Sequence, residues 1–375
     1  MNFDLSDERQ MLSDTLRRFL ADKYSSTLRN EVLSDPAGLS REIWSQLAEL
    51  GVIGALFDEA QGGFGGAGGD IAVVFEELGR AGVVEPVLDT AVLAGGIIAD
   101  LGNADQQALV EQIIAGELHV ALAHGEPEAR YDLPYVTCRA AEDAEGIRLE
   151  GRKAVVVNAE ASEYLIVSAR EAGGLRDWEG ISLFLVPRDT AGLVLQGYAL
   201  ASGGRAAEVV LDGVTLTPEM RLGTAGQGGD ALTKAMARSA VAQMAETLGA
   251  MHTACEMTQD YLMTRRQFGK PLGSFQALQH RVAEMLIEME QARSATINAL
   301  GHLDGPDRDR QISAAKALMG QIGKRIAEES IQMHGGIAMT QEYDLAHFAK
   351  RIIMGDHRFG DSDYHLERFI DLSAA

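Results

Sequence analysis

Cysteine is scarce in this sequence, since Cys138 and Cys255 are the only two among 375 residues. They lie far apart and outside any spacing typical of a zinc site, so the sequence predicts neither a disulfide framework nor a metal centre. Two reduced thiols are typical of a cytoplasmic protein. Residues 1–5 show no basic segment followed by an apolar run, so we expect no secretory leader and a cytoplasmic location.

Long apolar runs and positive charge are also scarce. No stretch approaches the roughly 18 residues of a membrane-spanning helix, so we expect no membrane insertion. The 33 Lys and Arg residues are outnumbered by 55 Asp and Glu residues, which gives a net charge of -22. Such a field repels nucleic-acid phosphates and anionic membrane surfaces, which makes both poor partners. An anionic ligand would have to bind where the few arginines cluster.

The spacing of the apolar residues predicts an α+β, multi-domain fold with three parts. Residues 1–117 form an N-terminal helical domain. Residues 118–222 form a central β-domain, either a barrel or a sandwich. Residues 223–375 form a C-terminal helical domain of the four-helix-bundle type.

Local signals support this division. Ser6 and Ser40 are predicted helix N-caps, and residues 88–100 also have helical spacing. In the middle of the chain, short runs of branched residues alternate with Gly and Asp-Gly turns, as is typical of strands. Long apolar stripes over 278–289 and 312–326 indicate the helices of the bundle.

Residues 63–68 (GFGGAG) match the dinucleotide-binding pattern G-x-G-x-x-G letter for letter. That pattern requires a βαβ unit whose second strand carries an acid for the ribose. Here the following helix leads through residues 82–86 into another helical segment. We therefore interpret the match as a glycine-rich loop between helices.

A turn between two predicted helices concentrates positive charge. Residues 265–276 (RRQFGKPLGSFQ) combine three cations, two amides and Phe268, which offers an apolar face to a purine or a ribose. An arginine fork can clamp a diphosphate. Residues 332–336 (QMHGG) end in two glycines that would let a ligand approach the backbone. Taken alone, the first segment could equally be a polar turn and the second a helix C-cap.

Together these motifs make the chain resemble the acyl-CoA dehydrogenase family from end to end. The R-x-x-F-G-x-P turn that begins at Arg265 and the Q-x-H-G-G motif at Gln332 carry the likeness, together with residues 50–54 and 62–66. The resemblance implies FAD as cofactor, an acyl-CoA substrate and electron-transfer flavoprotein as acceptor. It also implies that one subunit's turn contacts the ADP half of a neighbour's FAD. The cofactor-binding residues implied here are Arg265, Gln267, Phe268, Gln276, Gln332, Gly335 and Gly336.

The other side of the family's site is not preserved. Residues 124–130 keep only fragments of the family's flavin-binding loop. Val155 and Val157 stand where the family has a Trp and a Thr against the flavin. The two positions at which the family places its catalytic Glu carry Phe359 and Ser239 here, so no catalytic residue is predicted.

The resemblance narrows further within the family. Segments 130–133 and 359–361 resemble the small subunit of pimeloyl-CoA dehydrogenase and the partner subunits of heterotetrameric steroid side-chain dehydrogenases. We therefore predict a subunit that completes the FAD site of a larger homologue acting on a bulky acyl-CoA. One alternative is a self-sufficient homo-oligomer using Asp356 or Asp361 as base. Another is a redox-inactive acyl-CoA-binding scaffold. The Asp and His residues over 356–365 do not have metal-ligand spacing.

Overall fold

A computed structural model describes residues 5–374 of the chain. Residues 1–4, on which the expectation of no secretory leader partly depends, lie outside the described residues. The order of the elements is helical, then β, then helical, and the α+β fold predicted from the apolar spacing is confirmed.

The N-terminal part begins as its cap signals predict. The Ser6 hydroxyl accepts a hydrogen bond from the backbone N–H of Arg9, and Ser40 accepts one from Ile43, so each satisfies an otherwise orphaned donor. The helices are α1 (Asp7–Lys23), α2 (Ser26–Ser34), α3 (Arg41–Glu49), α4 (Gly68–Ala81), α5 (Gly96–Leu101) and α6 (Ala104–Ile114). Short 3-10 turns cover Gly54–Leu56 and Glu59–Gln61.

The glycine-rich loop is packed against its own neighbours. The N–H of Gly65 donates to the Phe57 carbonyl and that of Gly66 to Ala55, both over 2.9 Å. A side chain at Gly63 would overlap the carbonyls of Phe57 and Gly54. The amides that would cradle a phosphate in a dinucleotide site are therefore used by the chain itself, which supports the interpretation as an inter-helix loop.

Residues 88–100 depart from the prediction of one regular helix. A π-helix spans Leu88–Gly95 and continues into α5. Wide helical turns of this kind are rare in proteins as a whole. Those that occur are often found at functional sites. Tertiary packing is the physical reason that the sequence did not reveal it. A Cβ at Gly95 would lie 2.8 Å from the Phe57 ring and 3.0 Å from the Thr90 carbonyl oxygen, so the segment packs closely against Phe57 only because residue 95 is glycine.

The β-domain is one folded sheet with the strand order β6-β7-β3-β2-β4-β5-β8, and β1 pairs parallel to β4. The strands are β1 (Val120–Ala123), β2 (Arg139–Asp143), β3 (Gly146–Val157), β4 (Tyr164–Arg170), β5 (Ile181–Pro187), β6 (Leu193–Ala199), β7 (Arg205–Leu216) and β8 (Arg221–Leu222). Its two halves meet at a single residue pair between β2 and β4 and enclose a separate apolar core.

Long helices form the C-terminal part. They are α7 (Gly229–Thr264), α8 (Gln276–Gly301), α9 (Arg308–His334), α10 (Leu345–Asp356) and α11 (Ser362–Ala374). Two-residue strands, β9 (Arg266–Gln267) and β10 (Lys270–Pro271), pair between α7 and α8. A 3-10 turn over Leu272–Ser274 leads into α8, and another over Gly335–Met339 follows α9. Within residues 5–374, no helix is both long and apolar enough to cross a bilayer.

The N- and C-terminal helices are joined by a close crossing of α4 over α7. A side chain on Gly79 would overlap the backbone carbonyl of Glu246, and one on Gly249 would overlap that of Glu76. The two glycines therefore bring the helix backbones into direct contact. One continuous apolar core runs through both sets of helices as a result.

We expect Gly79→Ala or Gly249→Ala to lower the free energy of unfolding by about 3 kcal/mol, because each added methyl meets backbone that cannot move aside. Gly96→Ala is the matched control. Gly96 has helical torsion angles and open space around its Cα, so alanine there should be neutral or stabilise by up to about 1 kcal/mol. Denaturant unfolding of the three variants measures the difference, and equal midpoints would contradict this role of the crossing.

Candidate functional site

A cavity of about 460 Å³ lies where the three parts of the chain meet. The π-helix, the loop 124–133, the end of β3, α7 and the segment 357–360 all contribute to its wall. Most of the wall is apolar, as in pockets that bind small organic molecules. None of the seven residues implied as cofactor contacts lines it.

The β-domain side of this cavity is fixed by a buried ion pair. The Lys153 ammonium donates to Glu126 over 2.7 Å, to the Ser168 hydroxyl over 3.0 Å and to the His124 carbonyl over 3.2 Å. Both charged side chains are fully buried. Glu126 also accepts from the hydroxyl and the N–H of Thr137. Charge-assisted hydrogen bonds with the β-domain thus fix the position of the loop 124–127.

The same network determines two protonation states. Burial, followed by the nearby Lys153 charge, lowers the pKa of His124 to about 3, so this imidazole is neutral. Burial alone would raise the pKa of Glu126, but Lys153 and the hydrogen bonds from Thr137 and Cys138 hold it below its ordinary value. The carboxylate is therefore charged at neutral pH.

A β-bulge explains why Lys153 is buried while its neighbours line the cavity. The register between β3 and β7 shifts between Lys153 and Val156, and Val155 has the positive φ of 53° at that point. Bulges redirect side chains and often lie next to functional sites. Val155 and Val157 both line the cavity. They stand at the positions where the family that the chain resembles has a Trp and a Thr.

Backbone strain marks both parts of the predicted site. Non-glycine residues with positive φ are uncommon and cost about 1–3 kcal/mol each. Those among the described residues are Arg130, Val155, Asn158, Phe268 and Phe359. Three of the five line the cavity, and a fourth lies on the turn between α7 and α8. Strain of this kind collects at functional sites, which supports both assignments.

The segments 130–133 and 359–361 meet at the edge of the cavity. The Arg130 guanidinium lies 3.1 Å from the Asp361 carboxylate, and the Tyr131 and Tyr364 rings are 5.5 Å apart. Two stretches singled out by the resemblance therefore form one contact between the β-domain and the C-terminal helices.

Of the two positions at which the family places its catalytic Glu, one lies in the cavity wall and the other does not. Phe359 lines the cavity, and its carbonyl accepts a 2.9 Å hydrogen bond from the His365 ring. Ser239 is fully buried and does not line the cavity; its hydroxyl has no partner among the described residues. Neither residue can accept a substrate proton as a carboxylate would.

The two carboxylates considered as substitutes do not line the cavity. Asp356 accepts from the Ser362 hydroxyl over 2.9 Å, and neither it nor Asp361 is part of the described cavity wall. Burial would raise the pKa of Asp361, but the Tyr364 N–H and the Arg130 guanidinium lower it below its ordinary value. A carboxylate with a lowered pKa is a weak base.

The sequence analysis missed a charged pair inside the cavity. Arg358 donates to the Asp89 carboxylate, and both residues line the wall. Asp89 is on the π-helix, and its burial raises its pKa despite the arginine. The available signal was one carboxylate in an otherwise apolar segment. Its partner, 269 residues away in sequence, could not be inferred.

The turn between α7 and α8 is a tight hairpin of β9 and β10. Phe268 and Gly269 both have positive φ, as a two-residue hairpin loop requires. The Phe268 side chain is 90% exposed. Arg265, Gln267 and Gln276 are also exposed. We call residues 265–276 the arm turn.

The glycine motif lies beside the arm turn. Tyr261, in the last turn of α7, stacks on His334 with the ring centroids 4.4 Å apart. Gln332, Gly335 and Gly336 are exposed, and a Cβ at either glycine would meet nothing within 4 Å. The structure therefore brings the two predicted cofactor motifs together on an open surface, separate from the cavity.

Models of known protein families match all three parts of the chain. Three models describe the N-terminal, middle and C-terminal domains of acyl-CoA dehydrogenases, and they match residues 6–117, 121–214 and 226–370. Among curated relatives, the (2S)-methylsuccinyl-CoA dehydrogenase of Cereibacter sphaeroides is 27% identical over 91% of this chain, which spans 65% of that protein's length. The probable acyl-CoA dehydrogenase YngJ of Bacillus subtilis is 27% identical over 92% of both chains.

Solved structures of high similarity include a variant of the Tcur3481-Tcur3483 steroid ACAD, which is 29% identical with a TM-score of 0.88 over 98% of both chains. PigA with FAD and proline is 25% identical, with a TM-score of 0.92 over 100% of this chain and 99% of that one. The ChsE4-ChsE5 complex from Mycobacterium tuberculosis shares the fold, at 23% identity and a TM-score of 0.90 over 100% and 99% of the two chains.

We expect Lys153→Met to lower the free energy of unfolding by about 3–5 kcal/mol, because it leaves the Glu126 charge buried without a partner. The double variant Glu126→Gln with Lys153→Met should recover most of this loss. Lys324→Met, at an exposed lysine, is the control and should change stability by less than about 0.5 kcal/mol. Denaturant unfolding at neutral pH measures all three.

The same pair predicts a pH dependence. Since the folded pKa of Glu126 lies below its ordinary value of 4.5, its contribution is fully present above that pH and is lost as the pH falls through the folded pKa. The wild type should lose stability in that acid range more steeply than the double variant. Parallel curves would contradict the assignment.

Proposed function

Because the chain belongs to the acyl-CoA dehydrogenase family, we propose that it is the subunit of a two-component enzyme that completes a partner's FAD site. The observation that supports this proposal is a difference between two parts of the chain, the arm turn and the cavity. The arm turn is intact and exposed, whereas the cavity offers no carboxylate at either position of the family's base.

The family consists of FAD-dependent oxidoreductases that act on acyl-CoA thioesters. FAD, when bound, would supply the acceptor for the hydride that leaves the β-carbon, and a carboxylate of the protein would have to remove the α-proton. A base for this step must reach the proton within about 3 Å. Phe359 occupies the cavity wall at one expected place, and Ser239 lies outside it at the other.

The arm turn suits the ADP half of FAD. Arg265, Arg266 and Lys270 form no ion pair with a carboxylate in the part of the chain that the structure describes, although most arginines of this acidic protein do. Unpaired guanidinium groups are available to a diphosphate. Phe268 presents its ring to solvent at a strained position, which is costly unless the ring has a partner.

The glycine motif extends this surface. Open space around Gly335 and Gly336 would let a dinucleotide lie against the backbone, with the exposed Gln332 amide beside it. These residues and the arm turn would hold the cofactor's diphosphate and adenosine. Since they lie apart from this chain's own cavity, the flavin they serve would belong to another subunit.

The flavin-ring side of this chain fits less well. Val155 and Val157 provide neither a stacking ring nor a hydroxyl where the cavity meets β3. Glu208 accepts from the N–H of Val155 over 3.4 Å, and Gly125 accepts from that of Ala154 over 2.8 Å. These two backbone N–H groups are therefore already used, which favours a role for the chain as the second half of a site.

The alternative of a self-sufficient dehydrogenase depends on Asp356 or Asp361 as base. Neither carboxylate lines the cavity, and each already has a partner, Ser362 or Arg130, which argues against it. The likeness to the Tcur3481-Tcur3483 steroid ACAD, whose name joins two proteins, favours an assembly of two different chains and a bulky acyl group. Electron-transfer flavoprotein as acceptor and the cytoplasmic location stay predictions.

We expect co-expression with a larger homologue that retains the family's Glu to give a heterotetramer, two copies of each chain with two FAD. Each chain would supply the half of the site that the other lacks. Native mass spectrometry counts the subunits, and the absorbance of the flavin released on denaturation counts the FAD. A stable homotetramer of this chain with four flavins, or robust turnover of an acyl-CoA by the isolated chain, would rule the proposal out.

We expect Arg265→Ala to reduce FAD retention by that complex at least about tenfold, because a charge-assisted bidentate contact is worth roughly 1.5–3 kcal/mol. Arg139→Ala is the matched control, since Arg139 is exposed and forms no ion pair within residues 5–374. Flavin absorbance after gel filtration measures the occupancy. Equal flavin content in the two variants would show that the arm turn does not bind FAD.

A further inference from the structure

A second, smaller cavity of about 80 Å³ lies next to the main one. We call it the distal chamber, and its polar wall includes Glu85, Asp89, Gln243, Glu246, Arg351 and Arg358. Asp89 and Arg358 line both spaces, so their ion pair forms the partition between them. The chamber is thus the polar extension of a mostly apolar cavity.

Three polar atoms around the chamber have no partner among the described residues. They are Glu85 Oε2, Gln243 Oε1 and Arg351 Nε. Glu85 and Gln243 are only 5% and 3% exposed. A buried polar atom without a hydrogen bond costs about 1–3 kcal/mol. The chamber is large enough for several water molecules or for one polar group of a ligand.

The chamber wall holds two arginines and three carboxylates, so it has no positive charge left over for a ligand. Arg351 pairs with Glu246, and Arg358 pairs with Asp89. Burial raises the pKa of Glu85, and its Oε1 accepts a hydrogen bond from the Ser40 N–H over 3.3 Å. A ligand carboxylate would add a negative charge with no cation left to meet it.

An uncharged oxygen suits this polar wall, since a hydroxyl could satisfy two of the three unpaired atoms and a ketone one of them. A hydroxyl can donate to Gln243 Oε1 and accept from Arg351 Nε, and a ketone can accept from the same N–H. A purely apolar chain end would displace water and leave all three atoms unsatisfied.

We propose that this chain's own cavity binds an acyl group whose far end carries an uncharged oxygen, a hydroxyl or a ketone, placed in the distal chamber. The inference rests on the acyl-CoA binding of the proposed function but not on the two-component assembly. A chain without a carboxylate at either of the family's base positions thereby keeps a use for its cavity, as a selective binding site. Its test is binding rather than turnover, so it can fail while the assembly stands.

The experiment is calorimetric titration of the full-length chain, with FAD in excess, by matched acyl-CoAs. Each set has one chain length and three ends, for example octanoyl-CoA, ω-hydroxyoctanoyl-CoA and the CoA monothioester of octanedioic acid. Sets from hexanoyl to dodecanoyl allow for the reach to the chamber. We expect the hydroxylated ligand to bind at least about tenfold tighter than the apolar one at the best length, and the carboxylated one to bind weakest.

Equal affinities at every length, preference for the carboxylate, or binding by none of the ligands would overturn the proposal. Gln243→Leu should remove the preference for the hydroxylated ligand over the apolar one. Gln112→Leu, at an exposed amide outside both cavities, is the control and should keep the preference. Retention of the preference in Gln243→Leu would show that the oxygen lies elsewhere. The wild-type comparison decides the proposal even if that variant does not fold.

Discussion

The contact of α4 and α7 at Gly79 and Gly249 sets the distance between the two helical parts of the molecule. Since only residues 82–87 connect α4 to the π-helix, the crossing also places Asp89 opposite the C-terminal segment that carries Arg358. The cavity exists because these elements meet at that distance while the β-domain closes the remaining side. A single added methyl group at the crossing would therefore change the shape of the site some distance away, through rigid helices rather than direct contact.

Much of the fold follows from local sequence signals, and the exceptions have physical causes. Caps such as Ser6 and Ser40 act within one helical turn, so the sequence reveals them directly. Strand β5 is readable because its branched residues end at Pro187. The π-helix is different, because the ring of Phe57 packs against Gly95 and no local pattern reports that contact. The domain boundaries drawn from composition stay predictions.

The candidate site was predictable in part for the same reason. The arm turn and the glycine motif are each continuous in sequence, and the stacking of Tyr261 on His334 joins them. Counting residues to Ser239 could not show that its side chain faces away from the cavity, since neighbouring positions on a helix point in different directions. The Asp89–Arg358 partition needed the tertiary structure, because its members are far apart in the chain.

The exposed ring of Phe268 has a consequence for the turnover of the protein in the cell. It is an aromatic side chain on a strained turn, and Ile337 and Met339, just after the glycine motif, are exposed too on an otherwise strongly charged molecule. Newly synthesised copies that have not yet bound a partner subunit would expose these side chains to chaperones and proteases. If the chain works as proposed, its abundance would follow that of its companion, and balanced synthesis of the two polypeptides would be favoured by selection.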